Sequence, residues 1–255
     1  SMQVYRGMDI GTAKIRTEEM QGIPHHLIDI LEPEENFDAM QFQQRATNAI
    51  ADIQARGKVP ILVGGTGFYL QTVLYDVPFS EESRNEAVHA ALAARRAREG
   101  MAALYEELTR VDPEAAAQIH PNNEKRVLRA LEYYHSSGDK ISLHNAAARE
   151  RRSPYRLFYF VLNMDRASLY RRIDARVEAM FEAGLVEEVR TLALRGVPRT
   201  ATSMQGIGYH ELFPYLDGEA ELSVCKEQVK TDTRHFAKRQ LTWFRRERDA
   251  RWFMR

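Results

Sequence analysis

The 255-residue chain carries 36 basic and 36 acidic side chains, so its net charge of zero excludes a protein that is basic over its whole surface. Its length suits one large domain or two modest ones, and its 44% hydrophobic content is that of a globular protein. No apolar run approaches the roughly 18 residues of a membrane span and no signal-peptide pattern is present, which predicts a cytoplasmic or organelle-matrix protein. The single cysteine, Cys225, excludes an internal disulfide and disfavours a catalytic thiol or a zinc cluster.

The first part of the chain offers a candidate lysine, a short strand and a helix. Lys14 follows a Gly-Thr pair and is interpreted either as a phosphate ligand or as a solvated loop lysine. Residues 24–30 predict a short buried strand, whose two adjacent histidines would point to opposite faces and so could not easily share one metal ion. Asp38 is a good N-cap for a helix that Gly57 ends.

Residues 59–70 have the pattern of a strand, a glycine turn and a helix N-terminus. Residues 61–63 are an unbroken apolar run that suits a strand covered on both faces, as in a parallel sheet. Gly64 and Gly65 would then let a ligand approach the main chain, and Thr66 stands where a helix N-cap would lie. Such a turn points backbone N–H groups at an anion, although a turn that only joins strand to helix is an equally good interpretation.

Only helical signals are found in residues 81–137, which predicts an all-helical insertion. Within it, Arg126 and Arg129 lie three residues apart and therefore on one face of a helix. Two arginines near a helix N-terminus oppose the helix dipole, so they are interpreted either as phosphate ligands or as part of a solvated basic face.

An α/β pattern then returns. Residues 157–162 predict a second buried strand, and Asp165 begins a helix that ends at Gly184. Arg166 lies in the first turn of that helix, just beyond the carboxyl end of the strand. This position makes it the best-placed arginine of the helix for an anionic ligand.

Two C-terminal segments carry the remaining candidates. Residues 203–211 form a glycine-broken turn, which is either a ligand-binding loop or a plain connection. The helix predicted from about Glu219 to Arg245 interleaves aromatic and basic side chains, which suits base stacking with phosphate contacts or, equally, aromatic packing in a core. Residues 226–255 contain ten basic and four acidic side chains, and this excess of six positive charges indicates a nucleic-acid partner.

Six stretches spread over almost the whole chain together resemble one family, the tRNA dimethylallyltransferases, also called tRNA isopentenyltransferases. They are Ser1-Met2-Gln3-Val4-Tyr5 with Gly7-Met8-Asp9-Ile10-Gly11-Thr12-Ala13-Lys14, Pro24-His25-His26-Leu27-Ile28-Asp29, Val63-Gly64-Gly65-Thr66-Gly67, His120-Pro121-Asn122 with Arg126 and Arg129, Met204-Gln205-Gly206-Ile207-Gly208-Tyr209, and Lys238-Arg239-Gln240-Leu241-Thr242-Trp243-Phe244-Arg245. Each stretch alone is a weak signal, but their combination in the family's order is specific.

The resemblance implies an α/β fold with a P-loop NTPase-like parallel sheet core, typical of nucleotide-binding and ATP-binding proteins. The core would comprise residues 1–78 and 154–255, with an all-helical insertion domain at 79–153 that contacts tRNA. The implied reaction transfers the dimethylallyl group from dimethylallyl diphosphate to N6 of the adenine at position 37 of tRNA, giving N6-isopentenyladenosine. Implied partners are Mg²⁺, dimethylallyl diphosphate and the tRNA anticodon stem-loop, and we expect a monomer without membrane contact.

Family members normally begin with a Walker-type phosphate loop that ends in Gly-Lys-Ser/Thr. They also carry an aspartate, the implied base, directly before the serine that matches Ser1. Neither feature lies in these 255 residues, so the expectation is a sequence that lacks two central parts of its active site.

Carried over position by position, the resemblance implies a catalytic role for Thr66, while Arg166 is our candidate for a diphosphate contact. The implied tRNA-binding residues are Ser1, Met2, Gln3, Thr66, Arg84, Lys125, Arg126, Val127, Leu128, Arg129, Gln205, Gly206, Ile207, Gly208, Tyr209, His210, Lys238, Arg239, Gln240, Leu241, Thr242, Trp243, Phe244 and Arg245. His210 stands where the family commonly has lysine or arginine, which implies a weaker or pH-dependent contact.

Two other classes of protein remain open from the sequence. A P-loop kinase acting on a small molecule would account for the α/β core but not for the basic, aromatic C-terminal helix. A non-catalytic RNA-binding module is the second alternative, and tRNA binding without transfer would identify it.

Overall fold

The computed structural model describes residues 1–79, 85–150, 152–247 and 250–254, with the side chains of 148–150 excepted. The described chain is mostly helical with one small parallel sheet, and it divides into two compact units, Ser1–Val73 with Arg156–Arg255, and Leu74–Tyr155. In chain order the elements are α1 (Ala39–Ala55), α2 (Gly67–Leu74), α3 (Glu86–Val111), α4 (Pro113–Gln118), α5 (Glu124–Ser137), α6 (Ile141–Glu150), β1 (Tyr159–Asn163), α7 (Arg166–Glu182), α8 (Leu185–Leu194), α9 (Phe213–Leu216), α10 (Leu222–Phe244) and β2 (Ala250–Met254). Among these described helices, none has the length and apolar character that crossing a membrane requires.

Helix α1 begins at the N-cap that the sequence predicts. The Asp38 carboxylate accepts a hydrogen bond from the backbone N–H of Gln41 at 2.9 Å, and Gly57, with φ of 69°, lies just past the helix end. The ring of Phe42 on α1 stacks on the ring of Tyr69 on α2, with 5.0 Å between centroids. This packing fixes α2, and therefore the turn before it, within the first unit.

The sheet is smaller and more exposed than the sequence predicts. Strand β1 pairs in parallel with β2 along its whole length, which confirms a strand within residues 157–162. Val161 is buried, but Phe160 and Leu162 are 51% and 78% exposed. The prediction of a strand buried on both faces is therefore wrong, because no other described element covers these two side chains. Strand β2 was not predicted.

Residues 59–63 do not form the predicted buried strand. Val59, Ile61 and Val63 are 83%, 82% and 87% exposed. No backbone hydrogen bond joins this segment to a strand in the described part of the chain. Because a strand is held by hydrogen bonds to a neighbouring strand, an apolar run without such a neighbour stays irregular.

The strand predicted at residues 24–30 is also wrong. The segment is irregular, and both His25 and His26 are exposed rather than packed. Leu27 and Asp29 have positive φ angles of 64° and 53°, which lie outside the β region. The chain therefore turns here instead of extending.

Helix α7 begins and ends as the sequence predicts. The Asp165 carboxylate accepts a hydrogen bond from the backbone N–H of Ser168 at 2.9 Å, and Gly184 follows the helix end in a left-handed conformation. On α10 the single cysteine, Cys225, is buried, in agreement with a structural role.

Ion pairs join α7 to the first part of α10, residues 222–234, which we call the paired end. Glu178 on α7 contacts the ammonium groups of Lys226 at 2.8 Å and Lys230 at 2.6 Å. Asp174, one turn earlier on α7, contacts the guanidinium of Arg234 at 2.8 Å. These acidic side chains neutralise the basic side chains that face them.

Helices are the only regular elements described in the second unit. Its core is formed by Leu92, Leu104, Leu108, Ala115, Ala116, Val127, Ala130 and Leu131. The buried Asp112 carboxylate caps α4 through the backbone N–H of Ala115 at 3.1 Å and accepts a second bond from the N–H of Ser142 at 2.9 Å. Burial alone would raise the pKa of Asp112, but the hydrogen bonds outweigh it and lower the pKa.

Candidate active site

The glycine-rich turn before α2 is packed against the C-terminal end of α10. The side-chain amide of Gln240 donates a hydrogen bond to the carbonyl oxygen of Gly65 at 2.9 Å. A Cβ atom at Gly65 would overlap the Gln240 amide, and one at Gly67 would overlap the Trp243 indole. Close packing therefore explains these two glycines, whereas Gly64 has open space beside it.

Thr66 lies between the two packed glycines. Its carbonyl oxygen accepts the hydrogen bond of the Leu70 backbone N–H at 3.1 Å, so the residue directly precedes α2. Its hydroxyl oxygen lies 3.1 Å from the hydroxyl oxygen of Ser1. The candidate catalytic hydroxyl is thus held where the start of the chain, the glycine turn and α10 meet.

The turn at Met2–Val4 links Ser1 to the glycine-broken loop predicted at residues 203–211. A Cβ atom at Gly206 would lie 2.9 Å from the methyl carbon of Met2, so the two residues are in close contact. The Gln3 side-chain amide donates to two backbone carbonyl oxygens at residues 12–13, at 3.2 and 2.8 Å. In this conformation Gln3 therefore supports the fold of the N-terminal segment.

The loop that contains Gly206 is fixed on both sides. The Gln205 side-chain amide donates to the carbonyl oxygen of Arg199 at 2.6 Å, and the Tyr209 hydroxyl donates to the Glu188 carboxylate at 2.7 Å. Tyr209 is only 1% exposed. Burial and, to a lesser extent, the negative charge of Glu188 raise the pKa of the Tyr209 hydroxyl, which stays protonated as a donor.

Glu188, in the first turn of α8, organises the site in a way that the sequence analysis missed. Its carboxylate accepts backbone hydrogen bonds from Asp9, Ile10 and Gly11 at 2.9, 2.7 and 3.1 Å, in addition to the bond from Tyr209. It therefore holds two family motifs together. No sequence signal marks this role, because acidic residues are common in the first turn of helices.

Within the same loop, His210 donates a hydrogen bond from Nδ1 to the carbonyl oxygen of Gly206, 3.1 Å away. Next to it, Glu211 is buried and one of its carboxylate oxygens accepts a hydrogen bond from the N–H of Gly208 at 2.8 Å. Burial is the main cause that raises the pKa of Glu211. The expected pH-dependent tRNA contact of His210 stays a prediction.

The C-terminal part of α10 and its cap, residues 235–245, present basic side chains to solvent, and we call this segment the open end. Lys238, Arg239 and Arg245 are exposed, and no ion pair joins them to any residue whose position is described. The guanidinium of Arg239 lies over the ring of Phe236 at 5.8 Å. The open end therefore keeps positive charges available to an anionic partner.

The α5 candidates belong to the second unit. Lys125, Arg126 and Arg129 are exposed on the first turns of the helix, Leu128 is half-buried, and Val127 is fully buried in the core of that unit. We expect any RNA contact of this segment to come from its three basic side chains rather than from Val127.

Arg84 lies outside the described residues. Arg166 begins α7, where its guanidinium donates to the Tyr170 hydroxyl at 3.1 Å and lies over the Tyr170 ring at 5.2 Å. Within the described chain, no hydrogen bond or ion pair joins Arg166 to Thr66. Its contact with diphosphate stays a prediction.

Neither interpretation of Lys14 is correct. Its side chain is only 6% exposed, and its ammonium group contacts the carboxylates of Asp9 and Asp29 and the carbonyl oxygen of Tyr5. Lys14 therefore holds the N-terminal segment together and does not reach a free anion in this conformation.

The residues around Thr66 do not fit the Mg²⁺ that the family resemblance implies. Mg²⁺ prefers carboxylate oxygens and water in octahedral geometry. The described contacts of the glycine turn are the Ser1 hydroxyl, the Gln240 amide and the Trp243 indole, and none is a carboxylate. These side chains therefore do not supply the ligands of a catalytic Mg²⁺ ion.

Six of the predicted site residues form one connected group in the first unit, which we call the Thr66 cluster. The cluster comprises Ser1, Met2, Thr66, Gly206, Gln240 and Trp243. Among the other candidates of this unit, Gln205, Lys238, Arg239, Thr242 and Arg245 are exposed, Gln3, Ile207, His210 and Leu241 are half-buried, and Gly208, Tyr209 and Phe244 are buried. The geometry thus joins motifs that lie at the two ends and in the middle of the sequence.

Comparison with known proteins gives a consistent result. The model of the IPP transferase family matches residues 3–247. The tRNA dimethylallyltransferase of Lachnoclostridium phytofermentans is 52% identical over 252 residues, which is 99% of this chain and 80% of that protein. The tRNA dimethylallyltransferase of Bacillus subtilis is 48% identical over 253 residues, again 99% of this chain and 80% of that protein.

Solved structures agree with these sequence matches. The full-length tRNA isopentenylpyrophosphate transferase of Bacillus halodurans superposes with a TM-score of 0.72 at 46% identity, covering 100% of this chain and 79% of the other. A eukaryotic dimethylallyltransferase acting on tRNA superposes with a TM-score of 0.83 at 31% identity, covering 100% of this chain and 65% of the other.

Proposed function

This chain belongs to the IPP transferase family, and we propose that it transfers the dimethylallyl group of dimethylallyl diphosphate to N6 of adenine 37 in tRNA. The observation that carries the proposal is the Thr66 cluster, which joins residues of four family motifs. Basic side chains of the open end lie on the helix that forms one side of this cluster. Together these features suit an enzyme that orients one base of an RNA.

We further propose that the first unit is a P-loop NTPase-like core. The parallel pairing of β1 with β2, and the capped helix that follows β1, support this assignment. We propose the cytoplasm as the location and a monomer as the active form. Mg²⁺ is the proposed cofactor, held by groups other than the described contacts of Thr66.

The reaction exchanges two bonds at one allylic carbon. The adenine N6 is a weak nucleophile, because its lone pair is delocalised into the ring. N6 forms a bond to the allylic carbon while the bond from that carbon to the diphosphate oxygen breaks, and the diphosphate leaves with the electron pair. N6 then gives one proton to a base, so the site must stabilise the leaving diphosphate and accept that proton.

Thr66 is the proposed orienting group for the amine or its base. A hydroxyl offers one donor and two acceptor sites, so the contact with Ser1 leaves capacity for a second partner. Consecutive Cα atoms are about 3.8 Å apart, so a residue directly before Ser1 would lie close to Thr66. The family resemblance puts the base aspartate at that position, and Arg166 remains the proposed diphosphate contact within this chain.

A stacked adenine cannot reach an enclosed allyl group, so we propose that the base is flipped out of its stack, at a cost of a few kcal/mol. Phosphate contacts of the open end would offset part of this cost. The exposed basic side chains of α5 and the loop at residues 205–210 are proposed to contribute further tRNA contacts.

The test is an assay of the protein expressed from its full open reading frame. The protein is incubated with tRNA and labelled dimethylallyl diphosphate, and the RNA is digested to nucleosides. We expect labelled N6-isopentenyladenosine, and no label in a matched tRNA with guanine at position 37. Phosphoryl transfer from ATP to a small acceptor would instead identify a kinase, and tRNA binding without transfer would identify an RNA-binding module.

A further inference from the structure

Three side chains of types that bind metal ions meet where the end of the 203–211 loop approaches α10. His210, Glu211 and Asp232 each offer one ligand atom, and these atoms all lie within 4.8 Å of one another. His210 and Glu211 come from the turn His210–Leu212, and Asp232 comes from the paired end of α10. This set has no part in the chemistry proposed above for Thr66.

The buried carboxylate of Glu211 has an unused acceptor. Its side chain is 2% exposed, and its Oε2 accepts the hydrogen bond from Gly208, but its Oε1 accepts none in the described structure. An unpaired buried carboxylate oxygen is costly, so a native protein normally supplies a partner. The nearest candidate, Nε2 of His210, lies 3.4 Å away without hydrogen-bond geometry.

Each of the three side chains also makes a hydrogen bond of the kind that orients metal ligands. Nδ1 of His210 lies 3.1 Å from the Gly206 carbonyl oxygen, which can only accept, so Nδ1 is the donor and Nε2 is the atom next to Glu211. The side-chain amide of Gln228 donates to Oδ2 of Asp232 at 2.7 Å, which fixes that carboxylate. With the bond from Gly208 to Glu211, each of the three side chains is therefore held by one hydrogen bond.

The separation of two of the three ligand atoms suits a tetrahedral zinc-type ion. Zn–N and Zn–O bonds of about 2.0–2.2 Å place two ligands of a tetrahedron about 3.3–3.5 Å apart. The 3.4 Å separation of His210 Nε2 and Glu211 Oε1 agrees with this value. One imidazole with two carboxylates is a ligand set for zinc rather than for magnesium, which prefers oxygen ligands alone.

We propose that His210, Glu211 and Asp232 bind one divalent zinc-type cation that fastens the 203–211 loop to α10. The ion satisfies Glu211 Oε1 and leaves a fourth position for water. Its role is structural, since it links two predicted tRNA-binding segments without contacting Thr66.

The experiment uses the protein expressed from its full open reading frame, stripped with a chelator and titrated with Zn²⁺ by calorimetry. We expect one Zn²⁺ per chain, a higher Tm with Zn²⁺ than without, and no displacement by excess Mg²⁺. Co²⁺ in place of Zn²⁺ should give the visible absorption of a tetrahedral site. Absence of saturable binding to the folded wild-type protein would overturn the proposal.

Variants identify the ligands. His210→Ala and Asp232→Asn should each weaken Zn²⁺ binding at least about tenfold, as loss of a ligand or its orientation does. Glu211→Gln should do the same if it folds, and the two other variants decide the question if it does not. His26→Ala, an exposed histidine elsewhere in the first unit, is the matched control and should bind as the wild type does. Equal affinity in all folded variants would contradict the proposed ligand set.

Discussion

The two ends of α10 carry basic side chains in similar number but in different electrical surroundings. At the paired end, Lys226, Lys230 and Arg234 contact acidic side chains of α7. At the open end, Lys238, Arg239 and Arg245 have no acidic partner among the described residues, and Gln240 and Trp243 on the same turns contact the glycine turn.

This difference shows what a count of charges leaves out. The sequence assigns an excess of six positive charges to residues 226–255, but three of the ten basic residues are neutralised by α7. Of the seven that remain, Lys238, Arg239 and Arg245 lie on the open end, whose Gln240 and Trp243 contact the glycine turn. An anion would be attracted to the end of the helix that also fixes the candidate catalytic hydroxyl.

Replacement of three basic residues at either end of α10 should give the largest contrast. The open-end variant Lys238→Ala/Arg239→Ala/Arg245→Ala should weaken tRNA binding on the order of tenfold or more, because phosphate contacts and the associated counterion release are lost. The slope of log Kd against log salt concentration should fall by about two to three. Filter binding at several salt concentrations measures both quantities.

The matched control removes the same number of charges from the paired end, as Lys226→Ala/Lys230→Ala/Arg234→Ala. Its salt slope should equal that of the wild type, since these side chains are already paired with α7. An equal decrease of the salt slope in the two triple variants would show that the difference between the paired end and the open end has no effect on RNA binding.

The contact between the open end and the glycine turn predicts a stability effect of intermediate size. Gly67→Ala should lower the free energy of unfolding by about 1–3 kcal/mol, because the added methyl overlaps the Trp243 indole. Denaturant unfolding measures this change. Gly64→Ala is the control, because nothing lies within 4 Å of a Cβ at Gly64, and it should be nearly neutral.

A double-variant cycle then tests the cause of the Gly67 effect. In a Trp243→Ala background the cost of Gly67→Ala should largely disappear, because the overlapping ring is gone. An unchanged cost in that background would mean that Trp243 does not pack on the turn.

The smallest expected effect is that of Glu178→Gln, which removes the α7 carboxylate that contacts Lys226 and Lys230 at the paired end. Hydrogen bonds from Lys226 and Lys230 hold the pKa of Glu178 below its usual value. A carboxylate with a lowered pKa in the folded state stabilises the protein above its unfolded pKa, and this contribution is lost as the pH falls through the folded pKa. The variant should therefore melt slightly lower than the wild type at pH 7, and the two Tm values should converge in acid.

The same variant should bind tRNA slightly more tightly at low salt, because Lys226 loses its α7 partner and Lys230 keeps only Glu227. Tm measured from pH 3 to pH 7 and binding at low salt check the two expectations. A Tm difference that persists unchanged in acid would show that the Glu178 charge is not its cause.

The sequence predicted the helices better than the strands, for a physical reason. Asp38 and Asp165 cap their helices as expected, because a helix N-terminus is satisfied by side chains a few residues away. A strand needs a distant partner, so the apolar run at residues 59–63 could not show by itself that no described strand would pair with it.

The site was predicted residue by residue through resemblance, but its connections were not. The contact of Ser1 with Thr66 joins residues 65 positions apart, and the Glu188 carboxylate accepts backbone bonds from residues 177–179 positions away. Such contacts depend on tertiary packing and leave no local pattern. Likewise, Lys14 looked like a surface lysine because its two carboxylate partners are brought to it by turns that the sequence did not reveal.

The most direct test of the central claim compares Thr66→Ala with Thr66→Ser in the protein expressed from its full open reading frame. Single-turnover transfer to tRNA and the Kd for tRNA are measured side by side. We predict that Thr66→Ala slows transfer on the order of a hundredfold with an almost unchanged Kd, while Thr66→Ser keeps most of the rate, because an orienting hydroxyl acts on the reaction and not on binding. Equal losses in rate and in tRNA affinity, or full transfer by Thr66→Ala, would contradict the account.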